Sequence, residues 1–337
     1  MCTAARACKR FENQGNAMLT RRQFFAVSAA CVVTPANAQT WPDRPIRLIV
    51  PSAPGGPTDI PARLLAQILP KLGQPAVVEN RPGAGGAIGA RAVATAAPDG
   101  TTLLIGNTSV LAVIPAVSAS AGYDPAKSFA PVAKISESYQ VLVVSPATPW
   151  TSVREFVSDA KANPGKFNLA HTGAGGLPHL TAELFKASTG VELVGVPYKS
   201  GGEAVTALIG GQVHCTFEAI SILLPLIRDG KVRALGLTGR SRTPLAPDIP
   251  TMIEAGVPDY EVTTFYGVVA PAGTPAEIVA KLNAAINEGF AADDMRTAMT
   301  KLGSSLALGT ADEFGRFMAA QGAKWSALAK AANIKVD

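Results

Sequence analysis

Residues 46–73 read IRLIVPSAPGGPTDIPARLLAQILPKLG, and their pattern decides the fold. Ile46 to Val50 is an apolar run broken only by Arg47, so it reads as a strand. The loop Pro51 to Asp59 carries Gly55 and Gly56, and a helix follows whose apolar stripe is Ile60, Leu64, Leu65, Ile68 and Leu72. Thr58 or Asp59 can cap that helix, Pro61 is tolerated in its first turn, and Gly73 stops it. A second strand at Val77 to Glu79 leads through a glycine loop, 80–86, into an alanine-rich helix reaching Ala97. Thr102 to Ile105 forms a third strand ending in Gly106, Asn107, Thr108 and Ser109. This is a βαβαβ unit, which calls for a parallel sheet.

The pattern returns downstream. Phe167 to Ala170, Val191 to Val196 and Val213 to Phe217 read as strands, separated by the loops 171–178 and 197–202 and by two helices. The expected fold class is therefore α/β with two lobes. In such open sheets ligands bind at the carboxyl ends of the strands, where the glycine loops stand. Two further apolar segments, Tyr139 to Ser145 and Thr263 to Ala270, predict that the chain crosses between lobes twice. Helices at Ala276 to Phe290 and Asp312 to Ala332 would return to the first lobe. The expected boundaries are 39–140 plus 262–337 for one lobe and 141–261 for the other.

The N-terminus reads as an address. From Met18, a possible true start, the chain runs through Arg21 and Arg22, an apolar stretch from Phe24 to Val33 and Ala36-Asn37-Ala38, the pattern of a secretory leader cleaved before Gln39. Residues 1–38 are expected to be removed on export by the Sec or the twin-arginine route. Ser28-Ala29-Ala30-Cys31 is a poor lipid-attachment box. Cys2, Cys8 and Cys31 fall in this segment, so the mature protein keeps only Cys215 and has no intramolecular disulfide or cysteine metal site. Of the 30 basic and 25 acidic residues, the leader holds five and one, leaving 25 against 24. That near-neutral balance excludes a nucleic-acid partner, which needs a basic surface.

The glycine loops fail the tests for catalysis. Gly83, Gly85 and Gly89 do not make the G-x-G-x-x-G of a dinucleotide site, and no phosphate loop or G-x-S-x-G elbow exists. His171, His179 and His214 lack metal-ligand spacing. No cofactor or metal is expected. What the loops supply is backbone N–H groups at helix N-termini, a ready site for an anion. The candidate binding groups are Ser52, Gly55, Gly56, Thr58 and Asp59 in the first loop and Asn107 and Ser109 in the third. In the second half they are Thr172, Gly173 and Gly176, then Tyr198, Lys199, Ser200 and Gly202. His179 reads either as a half-buried helix residue or as a ligand contact, and Lys199 as a solvated charge or a contact. Glu218 follows an apolar strand at the ligand edge, where an acid is costly to bury without a partner.

Several phrases carry a resemblance. Trp41-Pro42-x-Arg44-Pro45-Ile46, Pro54-Gly55-Gly56-x-x-Asp59-x-x-Ala62-Arg63, Val78 to Gly86, Val196-Pro197-Tyr198-Lys199 and Tyr266 to Pro275 resemble the Bug-type substrate-binding proteins of tripartite tricarboxylate transport systems. The resemblance runs from Trp41 to the C-terminus. It implies a periplasmic binding protein of the two-lobed, type II-like kind, each lobe a βαβαβ sheet with flanking helices, hinged by two crossing segments. It implies a monomeric receptor whose partners are a small organic carboxylate or dicarboxylate and the permease subunits of a membrane transporter. The ligand would be held by loop backbone, hydroxyls and bridging waters rather than an arginine clamp. His171-Thr172, Ser52, Phe265 and Glu218 depart from the usual pattern, where two hydroxyl residues, an aromatic, tryptophan and aspartate are common. An exported enzyme or a sensor component on the same fold is the alternative, since fold alone does not decide function.

Overall fold

Strands as apolar as Ile46–Val50 need helices on both faces, and the order of elements supplies them. A computed structural model describes residues 41–172, 176–198 and 200–334, with nothing to be said of the Thr172 side chain. The expected leader lies outside the described residues.

The first unit is β1 (Ile46–Val50), α1 (Asp59–Ile68), β2 (Ala76–Asn80), α2 (Ala87–Ala94) and β3 (Thr102–Asn107). Two short helices, α3 (Ile114–Val117) and α4 (Pro125–Ser128), lead into β4 (Phe129–Val144). Then come α5 (Val153–Ala162), β5 (Asn168–Thr172), α6 (Leu177–Thr189), β6 (Val194–Tyr198), α7 (Gly201–Ile209), β7 (Cys215–Ala219), α8 (Ile220–Arg228) and β8 (Arg233–Leu237). The chain ends with β9 (Thr263–Pro271), α9 (Ala276–Ala291), α10 (Asp293–Lys301), β10 (Ser304–Leu306) and α11 (Ala311–Ala331).

The strands run in the order β2-β1-β3-β9-β4-β7-β5-β6, with β8 and β10 also paired to β4. β1 is parallel to β2 and β3, and β5 is parallel to β6 and β7, as the βαβαβ readings require. β9 and β4 run antiparallel through the middle.

β4 is the long element. Phe129 to Tyr139 pair with β9, and Gln140 to Val144 pair with β7. The sequence suggests extended structure only from Tyr139, because Pro131, Lys134 and Ser136 interrupt the apolar run. The earlier half is a strand because Val132, Ala133 and Ile135 are buried against Leu48, Leu103 and Leu282. At the point where β4 changes partners, Thr238 ties two chain segments together. Its N–H donates to the Gln140 carbonyl at 2.9 Å, and its hydroxyl accepts from the Gln140 N–H at 3.0 Å. The same hydroxyl donates to the Val262 carbonyl at 2.7 Å, and the Val262 N–H returns to the Thr238 carbonyl at 2.9 Å.

Helix α11 joins apolar cores on either side of this point. Phe314 and Met318 pack with Ile49, Leu104 and Phe265, whereas Trp325, Leu328 and Ala329 pack with Leu142, Phe185 and Phe217.

Thr238→Val keeps the shape of this buried side chain but leaves the Gln140 N–H and the Val262 carbonyl short of a partner. Each such loss costs about 1–3 kcal/mol, so urea denaturation should show a drop of that order, with Thr238→Ser close to the wild type. An unchanged Val variant would contradict the role given to the hydroxyl.

Candidate functional site

The first loop is organised from within by Asp59. Its carboxylate, fully buried at the start of α1, accepts from the Gly55 N–H at 2.9 Å, the Arg63 Nε at 2.7 Å and the Asn80 Nδ2 at 2.8 Å. Asn80 also donates to the Ser52 carbonyl at 3.0 Å. Burial pushes the Asp59 carboxyl up, but the hydrogen bonds from Arg63, Gly55 and Asn80 and the charge of Arg63 outweigh it and hold the group below the ordinary carboxylate range. The N–H of Gly55 is thus committed to Asp59, and Thr58 makes no side-chain cap of its own. Instead Thr58 accepts from Asn107 Nδ2 at 2.9 Å, while Asn107 Oδ1 accepts from the Val110 N–H at 3.1 Å. The Asn107 bond ties the start of α1 to the end of β3. Ser52 points a buried hydroxyl with no hydrogen-bond partner among the described residues, and Gly56 lies beside it, a Cβ there falling 3.6 Å from the Ser52 Oγ. Ser109 opens a five-residue π-turn at the end of β3. In the second glycine loop the glycines serve packing: a Cβ on Gly86, at φ 108°, would lie 2.6 Å from Val110 and 3.1 Å from Pro51.

The second half presents the starts of α6 and α7. Gly176 is the N-cap of α6 and accepts from the Leu180 N–H at 3.1 Å. The His171 ring at the end of β5 stacks on His179 with centroids 4.4 Å apart. Burial lowers the His179 pKa; Glu183, with its carboxylate 3.7 Å away, works against this and Lys186 adds to it. Ser200 caps α7 by accepting from the Glu203 N–H at 3.3 Å. Tyr198 is half-buried at the end of β6 and Gly202 is exposed. Thr172's side chain, Gly173 and Lys199, all singled out above, lie outside the described residues.

Glu218 ends β7 and is only 8% exposed. One oxygen, Oε1, accepts from the Ala219 N–H at 2.8 Å. The other lies against Gly201, where a Cβ would come within 1.9 Å of Oε2, so a side chain there would have to displace the Glu218 carboxylate. Burial raises the Glu218 pKa, offset in part by the Ala219 bond. The negative charge of Glu218 also raises the hydroxyl of Tyr266, after burial the second cause of its shift. Tyr266 belongs to β9, pairing with Asn107 on one side and Ser136 on the other. It therefore stands beside the first-loop cluster through Asn107. Sequence reasoning did not single out Tyr266, although it stands next to Phe265, a position already noted as unusual.

The basic side chains of the first half are not free to clamp a ligand. Arg63 is held by Asp59, and Arg47 and Arg81 are held by Glu79 at 2.7 Å and 2.6 Å. Among the described residues no three His, Cys, Asp or Glu side chains converge as a metal site would require. A groove of about 700 Å³ between α11 and the segment around Tyr123 and Phe129 contains none of these groups. Its only charged lining residue, Asp124, is paired with Lys127 at 3.1 Å, so it has no means of holding an anion.

Residues 62–334 match the family model of the tripartite tricarboxylate transporter family receptor. Protein BugT of Bordetella pertussis is 36% identical over 312 residues, covering 92% of this chain and 96% of BugT. Among solved structures, R. palustris Rpa4515 with adipate is 37% identical with a TM-score of 0.77, covering 88% of this chain and 99% of that one. MatC from Rhodopseudomonas palustris with bound malate is 36% identical with a TM-score of 0.74, covering 86% and 99%.

Asp59→Asn removes the charge that three donors share. Hydrogen bonds to a charged group are worth about 1.5–3 kcal/mol, and a loss of that order is expected near pH 7 in chemical denaturation. Because the folded pKa lies below the unfolded one, the wild type's advantage is present above the ordinary carboxylate range and fades as the pH falls through the folded value. Denaturation midpoints of the two proteins should therefore converge in acid. A constant gap would show that charge is not the cause.

Proposed function

Because the chain belongs to the tripartite tricarboxylate transporter receptor family, we propose that it is a periplasmic solute receptor that captures a small organic carboxylate or dicarboxylate and hands it to the permease subunits of a membrane transporter. The observation that carries this reading is the edge described above: polar ends of β1, β3, β7 and β9 and the starts of α6 and α7, with Arg47, Arg63 and Arg81 already paired. Such an edge suits an anion bound by backbone N–H groups and hydroxyls. The adipate and malate of the two R. palustris structures support this ligand class.

Residues 39–140 plus 262–337 and residues 141–261 act as two lobes. The reading is supported by the change of partner along β4 between Tyr139 and Gln140 and by the start of β9 at Thr263. Groups from both lobes then meet the ligand, and only contacts that differ between open and closed forms can shift the balance toward closure. The receptor acts as a monomer, exported with removal of residues 1–38. Thr172, Gly173, Lys199, Ser200 and Gly202 complete the proposed contacts from the second lobe.

Melting curves with malate, succinate, adipate and hexanoate test the ligand class. A ligand at a hundred times its Kd should stabilise the protein by about 2.7 kcal/mol. Small-angle scattering should show a smaller radius of gyration for the stabilised complex. Unmoved melting curves with every carboxylate would overturn the reading.

A further inference from the structure

His171, near the end of β5, is 6% exposed, and His179 is the third residue of α6. Their rings stack with centroids 4.4 Å apart and planes 23° from parallel. The contact follows from the fold. Leu169 and His171, two residues apart on β5, share the face that α6 covers, and Leu169 packs in one core with Leu177, Leu180 and Phe185. Toward β6, a Cβ on Gly195 would lie 3.2 Å from His171 Nε2, so a side chain at 195 would press on the ring.

Stacked imidazoles titrate as a unit. Two positive charges at this separation repel, so the pair accepts one proton and resists a second. The charges that act on His179 are Glu183, 3.7 Å from Nε2, and Lys186, which pairs with Glu183 at 2.6 Å. The other titratable groups on the elements packed against the pair are Tyr198 on β6, Glu203 on α7, Glu218 on β7, Lys324 and Lys330 on α11, and Tyr260, whose hydroxyl donates to the Thr181 carbonyl of α6 at 2.8 Å. Lys199 lies outside the described residues. Burial favours the neutral form of His179, and the positive end of α6 works in the same direction. The pair stands beside the start of α6, an edge given to the ligand above, while Arg47, Arg63 and Arg81 are held by acids elsewhere.

We propose that the stacked pair His171–His179 binds one proton together with the ligand, and so places a positive charge beside the start of α6 when the carboxylate is present. The proton comes from solvent on binding and returns to it on release. A nearby anion raises the affinity of the rings for a proton, and by linkage the proton tightens the hold on the anion to the same degree. The proposal rests on the carboxylate reading above and adds the regulation of that site by pH.

Proton NMR of the histidine ring Cε1–H signals of the full mature protein, free and saturated with malate, follows the pair directly, with His171→Phe and His179→Phe assigning the signals. A common titration step, displaced upward by malate, is expected. Calorimetric titration with malate, succinate and adipate from pH 6.5 to 8.5, in buffers of different ionisation heat, counts the protons taken up. Uptake approaching one per ligand is expected between the pKa values of the free and the bound pair, with affinity falling by up to about tenfold per pH unit as the pH rises through that window. The double variant His171→Phe/His179→Phe keeps two flat rings that hold no proton, so its uptake should vanish and its pH profile flatten. Ring titrations that malate leaves unmoved, or uptake that persists in the double variant, would overturn the role of the pair and leave the receptor reading standing. No binding of any of the acids would overturn both. The wild-type ring titrations decide the matter even if the double variant does not fold.

Discussion

The architecture depends on one strand serving two sheets. β4 gives Phe129 to Tyr139 to β9 and Gln140 to Val144 to β7. Every strand on one side of the molecule is connected to every strand on the other through this hand-over. A backbone that changes partners risks leaving N–H and C=O groups unpaired, which is costly in a buried position. Thr238 answers that need by bonding Gln140 on one side and Val262 on the other, at the two places where the chain passes between sheets. A single buried threonine thus holds both crossings in register.

The site follows from the same geometry. Pairing β9 with β3 sets Tyr266 beside Asn107, and pairing β7 with β4 sets Glu218 beside Val141. On the first-half side the charges are closed among themselves: Asp59 with Arg63, Glu79 with Arg47 and Arg81. Glu218 is different: among the described residues burial raises its pKa and only the Ala219 N–H works against this. Strong internal pairing holds the loop around Asp59 together, whereas Glu218 accepts a single backbone N–H, from Ala219. The first-half residues that look most ionic in the sequence are thus occupied with structure.

Much of this was legible in the residues. The apolar runs and glycine loops mark β1, α1, β3, α9 and both parallel units, since strand and helix periodicity survive without knowledge of neighbours. The first half of β4 was hidden because Pro131, Lys134 and Ser136 break the run, and its burial comes from Leu48, Leu103 and Leu282, far off in the chain. The Asp59–Arg63 pair has helical spacing and could have been read. Its third partner, Asn80, is brought in by the pairing of β1 with β2, which no local pattern states. Glu218 stood out as an acid at a strand end. Tyr266 did not, because its importance comes from strand order alone.

Helix α11 has a mechanical consequence. Phe314 is anchored in one core and Trp325 in the other, about 16 Å apart along the axis at 1.5 Å per residue. Between them run Ala319, Ala320, Gln321, Gly322 and Ala323, and a Cβ on Gly322 would touch nothing within 4 Å. Gly315, Ala319, Gly322 and Ala323 line the adjoining groove beside Met318. A helix anchored at both ends limits how far the two cores can separate.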